Sequence, residues 1–369
     1  MKIVDLKTYA CSIPMKVPKA IATRPIHSRE FGVVEILTDE GITGVGYTFN
    51  PLAPTIAASL KKLILNKDPF RIEEIWRLLY GNMGMSYQKG LSVRAISMID
   101  MALWDVVGKK LDVPLCRLLG QYRTQVPCYV SAGYYRFPLE SQTVDDLVEE
   151  MAGHAKNGAR YLKMRVGGLS IQEDMARVRA VKDAIGNEIG LMVDANNAYN
   201  MIDAMKVGEK LQEMGIFWFE EPTTPDNIRG YQELAASLRI PIVSGELEYT
   251  HYGFRPIIEQ RAADIIQPDA CVCGGVTEWK KIAALAGAFG VPVAPHVIGD
   301  GGVNLHLAAS SSEVFIMEYF ELESEISKIE ELFKEYSKAK NGYVNVPDKP
   351  GLGMTLNHDA VEKYRISAN

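Results

Sequence analysis

The stretch "EIGLMVDANN" at residues 188–197, with "IFWFEEP" at 216–222 and "IPIVSGELE" at 240–248, decides the fold. Each is a short apolar run ending in polar residues. Between them lie "IDAMKVGEKLQEMG" and "IRGYQELAASLR", whose apolar spacing is that of amphipathic helices. The rhythm continues outward: "ADIIQPDA" at 263–270 precedes "TEWKKIAALAGAFG", which feeds "VPVAPHV" at 291–297. Strands alternating with helices of this length mark βαβ units and a parallel sheet. At least seven such strands fall between residues 126 and 318, too many and too regular for a small open sheet. An α/β chain with a TIM-like barrel is the reading.

Residues 1–125 have another texture. "EFGVVEILTDEGITGVGYTF" predicts two strands joined by a D-E-G turn, and "LSVRAISMIDMALWDVVGKKL" predicts an amphipathic helix with Val93, Ile96, Ile99, Leu103 and Val107 on one stripe. This is an α+β domain joined through "QYRTQVP" to a barrel at 126–330. Residues 331–369 lose the barrel rhythm, and "GYVNVPDKPGLGMTL" is expected to return toward the first domain.

Composition narrows the function. The 369 residues carry 40 basic and 46 acidic side chains, a formal charge of −6, with no basic tail and no zinc-type cysteine pairs, so nucleic acid is not the expected partner. No segment approaches the roughly 18 consecutive apolar residues of a membrane span, and the N-terminus has no signal-peptide core. Cysteines 11, 116, 128, 271 and 273 are an odd number with only a C-x-C pair, which favours a reducing, cytoplasmic setting. A homo-oligomer acting on a small-molecule carboxylate is expected.

Active-site groups of such barrels sit at the C-terminal ends of the strands. Asp194 ends "LMVD", Glu220 ends "FWFE" and Glu246 follows "PIVSG". The steps are 220 − 194 = 26 and 246 − 220 = 26, one βα unit each, so three carboxylates should converge on one side of the mouth. Two like charges about 4 Å apart repel by roughly 4 kcal/mol at an effective dielectric near 20, and a hard divalent cation removes that conflict. An all-oxygen set points to magnesium or manganese. Opposite them, "IIQPD" ends in Asp269 and "PVAPH" in His296, one unit apart at 296 − 269 = 27. An aspartate beside a histidine fixes its tautomer and raises its basicity, as a general base requires. One strand later "EVFIME" delivers Glu318 to the same mouth.

These residues resemble a family. "DEGITGVG" and "AISMIDMALWDVVGKKLDVPLCRLLG", then "VDANNAY", "WFEEP", "SGE", "IIQPDACVCGGVTE" and "VPVAPH", and finally "PDKPGLG" are similar to the mandelate racemase subgroup of the enolase superfamily over nearly the whole chain. The resemblance implies a capping domain over a modified TIM barrel, (β/α)7β. It also implies magnesium at Asp194, Glu220 and Glu246, an Asp269 and His296 dyad, and Glu318 against the substrate carboxylate. Family chemistry begins with removal of the proton α to a carboxylate, and the resulting enediolate is stabilised by the metal.

"YLKMRVGG" at 161–168 departs from the subgroup's usual Lys-x-Lys pattern. With a period of two, Lys163 and Arg165 share the inward face of the second strand. The second position, usually a base, is arginine, which effectively never loses its proton. A two-base racemisation is thereby disfavoured. An acid-sugar (aldonate or aldarate) dehydratase is expected: His296 removes the α proton and assists loss of the β hydroxide to give a 2-keto-3-deoxy acid, while Lys163 holds the enediolate. Arg165 would hold a hydroxyl or second carboxylate; the plainer reading is an ion pair with Asp194 or Glu220. A loop tyrosine or Lys163 as second base keeps a racemase, epimerase or sugar-lactone cycloisomerase as the alternative.

Asn196 is expected to support metal or substrate, and Glu221, facing the other way, to brace the barrel. Cys271 and Cys273 are read as packing residues in a loop. Specificity is assigned to the first domain's lid, "MKVPKAIATRPIHSRE" at 15–30, where Lys16, Lys19, Arg24, His27 and Arg29 show no regular periodicity. Arg24 and His27 are named as substrate contacts, and "NMGMSYQKG" at 82–90 as a further contributor. A basic lid suits a diacid. A catalytically silent binding protein would be marked by lost ligands or a lost base, and none is lost. A phosphate-binding sugar isomerase would want a glycine-rich phosphate site after the last strands; "GDGG" at 299–302 reads more simply as a flexible loop.

Overall fold

The computed structural model describes residues 1–83, 88–297 and 302–366. The first domain opens with strands β1 (Ile3–Ile21), β2 (Arg24–Thr38) and β3 (Thr43–Thr48), an antiparallel meander, followed by helices α1 (Ala53–Ile64), α2 (Ile72–Met83) and α3 (Leu91–Leu111). One face of the meander, with Ile3, Val34 and Ile36, packs on Trp76 and Leu79 of α2 and on Ile96, Ile99 and Leu103 of α3. The stripe expected on α3 is buried as the periodicity requires, but so are Ser97, Asp100 and Asp105. The helix is enclosed because its polar side chains bond to other parts of the chain. Gly274 donates its N–H to Ser97 Oγ at 2.9 Å, and Leu352 donates to Asp105 Oδ1 at 2.8 Å.

The lid differs from its sequence reading. Residues 15–30 are not an irregular loop but the far end of the β1–β2 hairpin, paired out to Ile21 and Arg24, with a register shift between Pro14 and Lys19. That shift erased the period-two signal. The hairpin end is tied to the barrel, since β1 pairs with β5 (Tyr135–Arg136) through Lys19 and Ala20, and Phe137 donates to Pro18 O at 3.1 Å.

The barrel runs β4 (Gln125–Ser131), β6 (Tyr161–Arg165), β7 (Gly190–Asp194), β8 (Phe219–Glu220), β9 (Ile242–Ser244) and β10 (Ile265–Ile266), each parallel to the last. Single bridges join Ile266 to Val293 and Val293 to Val314, and β11 (Met317–Tyr319) returns to β4 and closes the ring. Eight strand positions with helices between successive ones is the (β/α)7β pattern. Outward side chains such as Leu162, Met164, Leu191, Val193 and Ile242 join the large core under the helices. In the C-terminal segment, β12 (Ala339–Lys340) precedes β13 (Tyr343–Asn345), which pairs with β4, and Ile366 donates to Ala10 O of β1 at 2.8 Å. Cys271 and Cys273 lie not in a loop but in a buried helical turn, Ala270–Cys273, where Thr48 of the cap donates its hydroxyl to Cys271 O at 2.7 Å. Residues 84–87 of "NMGMSYQKG" and 298–301, most of "GDGG", lie outside the described residues.

Candidate active site

Inside the ring, Tyr129, Met192, Trp218, Val243, Ile265, Ala294 and Ile316 form an apolar layer. With a period of two, the next inward position beyond Met192, Trp218, Ala294 and Ile316 is Asp194, Glu220, His296 and Glu318. The apolar floor therefore dictates the polar mouth. Glu246 breaks the alternation, and Gly245 is the reason. Its φ of 124° turns the chain after β9, and a Cβ there would stand 2.8 Å from the Phe254 ring.

Asp194, Glu220 and Glu246 each bring one carboxylate oxygen to within 4.8 Å of the others. Burial pushes Glu220 up to about 8, with Lys163 opposing and Asp194 and Glu318 adding to the rise. Glu246 is raised by burial too, with His296 opposing. Three converging oxygen donors, two of them held back from ionising by burial, fit a hard divalent cation. Asn196 donates through Nδ2 to Asp194 Oδ2 at 3.1 Å, while its own Oδ1 is buried without a partner. Glu221 is turned away, its Oε2 accepting from Asn197 Nδ2 at 2.9 Å.

Lys163 is fully buried, its Nζ 2.6 Å from Glu220 Oε1, 2.9 Å from Glu318 Oε1 and 3.8 Å from Asp194 Oδ2. Desolvation pulls its pKa down, but Glu220 and Glu318 outweigh it and hold the ammonium well above its usual range. Arg165 forms the ion pair with Asp194, its guanidinium 3.2 Å from Oδ2, and it also donates to Ser131 Oγ at 3.0 Å and Tyr134 OH at 2.5 Å while lining the cavity above. Across the mouth, His296 Nδ1 is 2.8 Å from Asp269 Oδ2, and Nε2 is 3.6 Å from both Glu246 Oε2 and Glu318 Oε2. Burial lowers the imidazole's pKa, but Glu246, Glu318 and Asp269 carry it to about 9. Asp269 is itself held by Asn304 Nδ2 and Cys271 N–H, each donating to Oδ1 at 2.8 Å. Glu318, between the two cations, falls to about 2: burial alone would raise it, and Lys163, His296 and Arg165 overcome that.

Above the mouth is a cavity of about 620 Å³, walled by Arg165, Asn196, Glu246 and His296 below and by the β1–β2 hairpin above. Arg24 and His27 line it, both largely solvent-exposed. Tyr134, Arg94 and Asn304 were not legible as site residues. Tyr134 follows β4 at no motif spacing, Arg94 sits on a helix whose reading is core packing, and the helix that carries Asn304 (Gly302–Ser310) has no counterpart in the sequence reading.

The chain matches the mandelate racemase/muconate lactonizing enzyme N-terminal domain over residues 3–120 and the enolase C-terminal domain-like model over 146–360. It is 34% identical to arabinonate dehydratase of Saccharolobus solfataricus, covering 93% of this chain and 92% of that protein. It is equally 34% identical to D-galactarolactone cycloisomerase of Agrobacterium fabrum, covering 99% of each. The crystal structure of L-talarate/galactarate dehydratase from Salmonella typhimurium LT2 liganded with Mg and L-lyxarohydroxamate superposes with a TM-score of 0.89 at 30% identity, covering 99% of this chain and 93% of that one. With both the cap and the barrel matched, and the carboxylate set facing a histidine as the fold demands, the chain belongs to the mandelate racemase subgroup of the enolase superfamily.

Proposed function

We propose that the protein is a magnesium-dependent acid-sugar dehydratase. The observation that carries the reading is Arg165. It stands on the strand position facing His296 and is tied to Asp194 at 3.2 Å, so the dyad's imidazole is the clear base at the mouth. The dehydratase names among its relatives support the same conclusion.

Asp194, Glu220 and Glu246 would hold magnesium, which supplies positive charge to stabilise the enediolate oxygens. Asp269 accepts a hydrogen bond from His296 Nδ1–H, so that the neutral ring presents Nε2 to take the α hydrogen as a proton, the C–H electron pair passing into the enediolate. Lys163 donates to the carboxylate oxygens as their charge grows, and Glu318 holds that ammonium in place. The imidazolium returns its proton to the departing β hydroxide. Water leaves, and the enol relaxes to the 2-keto-3-deoxy acid. Both groups must then leave from the imidazole's side of the sugar.

In deuterium oxide, His296→Asn should slow α-proton exchange by about 10² to 10⁴ with fold and metal retained. Exchange at the wild-type rate would overturn the assignment. A second reading has its own support: Tyr134 OH, 2.5 Å from Arg165, stands across the mouth from His296 as a second proton carrier, and cycloisomerases occur among the relatives. Product mass separates the two, since dehydration removes 18 units, the mass of one water, and isomerisation none.

The cap is residues 1–125, the barrel 126–330 and the returning segment 331–369, supported by the pairing of β13 with β4. A cytoplasmic setting is supported by five free, buried thiols; among the described residues no helix is long and apolar enough to cross a membrane. A homo-oligomer is testable by light scattering.

A further inference from the structure

The cavity has two electrically different walls. On the barrel wall each cation has an acid: Arg165 touches Asp194, and His296 touches Asp269. On the cap wall Arg24, Arg29 and Arg94 all line the cavity, and among the described residues none comes within 4.0 Å of a carboxylate oxygen. Glu30 is the acid the cap sends there, and it forms no ion pair with them.

Arg29 and Arg94 are positioned rather than loose. Arg29 lies over the Phe49 ring at 4.3 Å, with its Nε buried and unpartnered. Arg94, in the first turn of α3, donates to Phe49 O at 3.2 Å and faces the Tyr249 ring at 5.9 Å. One aromatic residue therefore organises both guanidiniums. Burial, with Arg24 and Arg165 adding like charge, lowers the pKa of Arg29, so the charge is held there at a cost that a bound anion would offset. Arg94 adds to the N-terminal end of a 21-residue helix with no side-chain cap and no acid in its first turn, a setting that favours negative charge. Asn196 Oδ1, buried and unpartnered on the floor between the two walls, is an acceptor for a sugar hydroxyl.

We propose that Arg29 and Arg94, with Arg24 at the hairpin end, form a subsite for a second, distal carboxylate, so that the substrate is an aldarate rather than an aldonate. This rests on the dehydratase reading for its chemistry but not for its binding. Planar guanidiniums bind carboxylates in paired hydrogen bonds, and each such contact contributes about 10- to 100-fold in affinity.

The test uses the magnesium-loaded full chain bearing His296→Asn, which separates binding from turnover. Five- and six-carbon aldarates and the aldonates of matching configuration are titrated by calorimetry. The best aldarate should bind at least about 30-fold more tightly than its aldonate. Arg29→Gln or Arg94→Gln should each remove about 10-fold or more of that preference while leaving aldonate affinity within about threefold. Arg94→Lys, which keeps charge without the fork, should recover part of it; this also guards against a variant that merely misfolds. Equal affinity for the two classes, or equal losses for both in the arginine variants, overturns the subsite. In the enzyme with His296 intact, selective aldarate binding without formation of a keto acid would keep the subsite and remove the dehydratase reading. Keto acid formed from aldonates alone would do the reverse.

Discussion

The barrel mouth and the cap that covers it solve opposite electrostatic problems. At the mouth, Lys163, Arg165 and His296 are placed against Glu220, Asp194, Glu318 and Asp269 before any substrate arrives. Each charge is fixed by another, so the chemistry is preorganised. The cap wall presents Arg29 and Arg94 against an aromatic ring and a carbonyl instead, leaving their charge to the ligand. On the proposed reading catalysis and selectivity are housed on different domains, and the joint between them combines buried hydrogen bonds with more exposed ion pairs such as Lys281–Glu73 and Lys89–Glu248.

The sharpest way to break this contrast is to unbalance the mouth. Lys163→Met removes the buried ammonium that lies 2.6 and 2.9 Å from two buried carboxylates. Stranding such partners costs about 3–5 kcal/mol. Urea unfolding of the metal-free variant should show that loss, and saturating magnesium should restore part of it, because Glu220 regains a cation. A metal-free variant as stable as wild type would mean that the mouth is not charge-balanced as described.

The same contrast explains what could be read in advance. Asp194, Glu220, His296 and Glu318 are legible because each is one turn of a repeated βα unit and lies two residues beyond an apolar strand position. Their geometry is local to the repeat. Arg94 and Tyr134 reach the cavity only because α3 docks against the barrel and the loop after β4 folds under the hairpin, and no spacing along the chain encodes either event. The hairpin was hidden for a third reason: its strands continue through a register shift, which erases alternation where the lid begins.

The joint itself should respond to pH. His306 is fully buried, accepting the Cys116 N–H at Nδ1 (3.2 Å) and donating from Nε2 to Leu352 O (3.1 Å), so it links the barrel's last helix to the cap and the returning segment as a neutral ring. Burial lowers its pKa from 6.5 to about 4, with the Leu352 carbonyl opposing. A depressed histidine gives stability that is full above 6.5 and lost as pH falls through 4. At about 1.4 kcal/mol per unit the loss approaches about 3 kcal/mol. His306→Gln does not titrate, so the stability advantage of wild type over this variant should shrink by that amount between pH 7 and pH 4 in urea melts. A pH-independent difference would show that the ring is not held neutral.

Thr277 sharpens the comparison most finely, because its effect is small and opposite in sign. Its hydroxyl donates to Asp100 Oδ1 at 2.5 Å and accepts from Trp104 Nε1 at 3.0 Å, while its N–H donates to Asp100 Oδ2 at 3.0 Å, stitching α3 to the barrel. Burial raises Asp100 to about 7, and the two Thr277 bonds restrain that rise. A carboxyl raised above its ordinary 3.8 favours the folded state below that value, and this contribution is lost as pH climbs through about 7. Thr277→Val keeps the shape but removes the donor that favours the charged form, and leaves the Trp104 N–H without its acceptor. The cost should be about 1–2 kcal/mol at pH 8 and smaller at pH 5, where Asp100 already carries its proton. Thr277→Ser, retaining the hydroxyl, should stay within about 0.5 kcal/mol of wild type at both. Urea midpoints at the two pH values decide it. An equal penalty at pH 5 and pH 8 would mean that Asp100 is charged across the whole range and is not held neutral by burial.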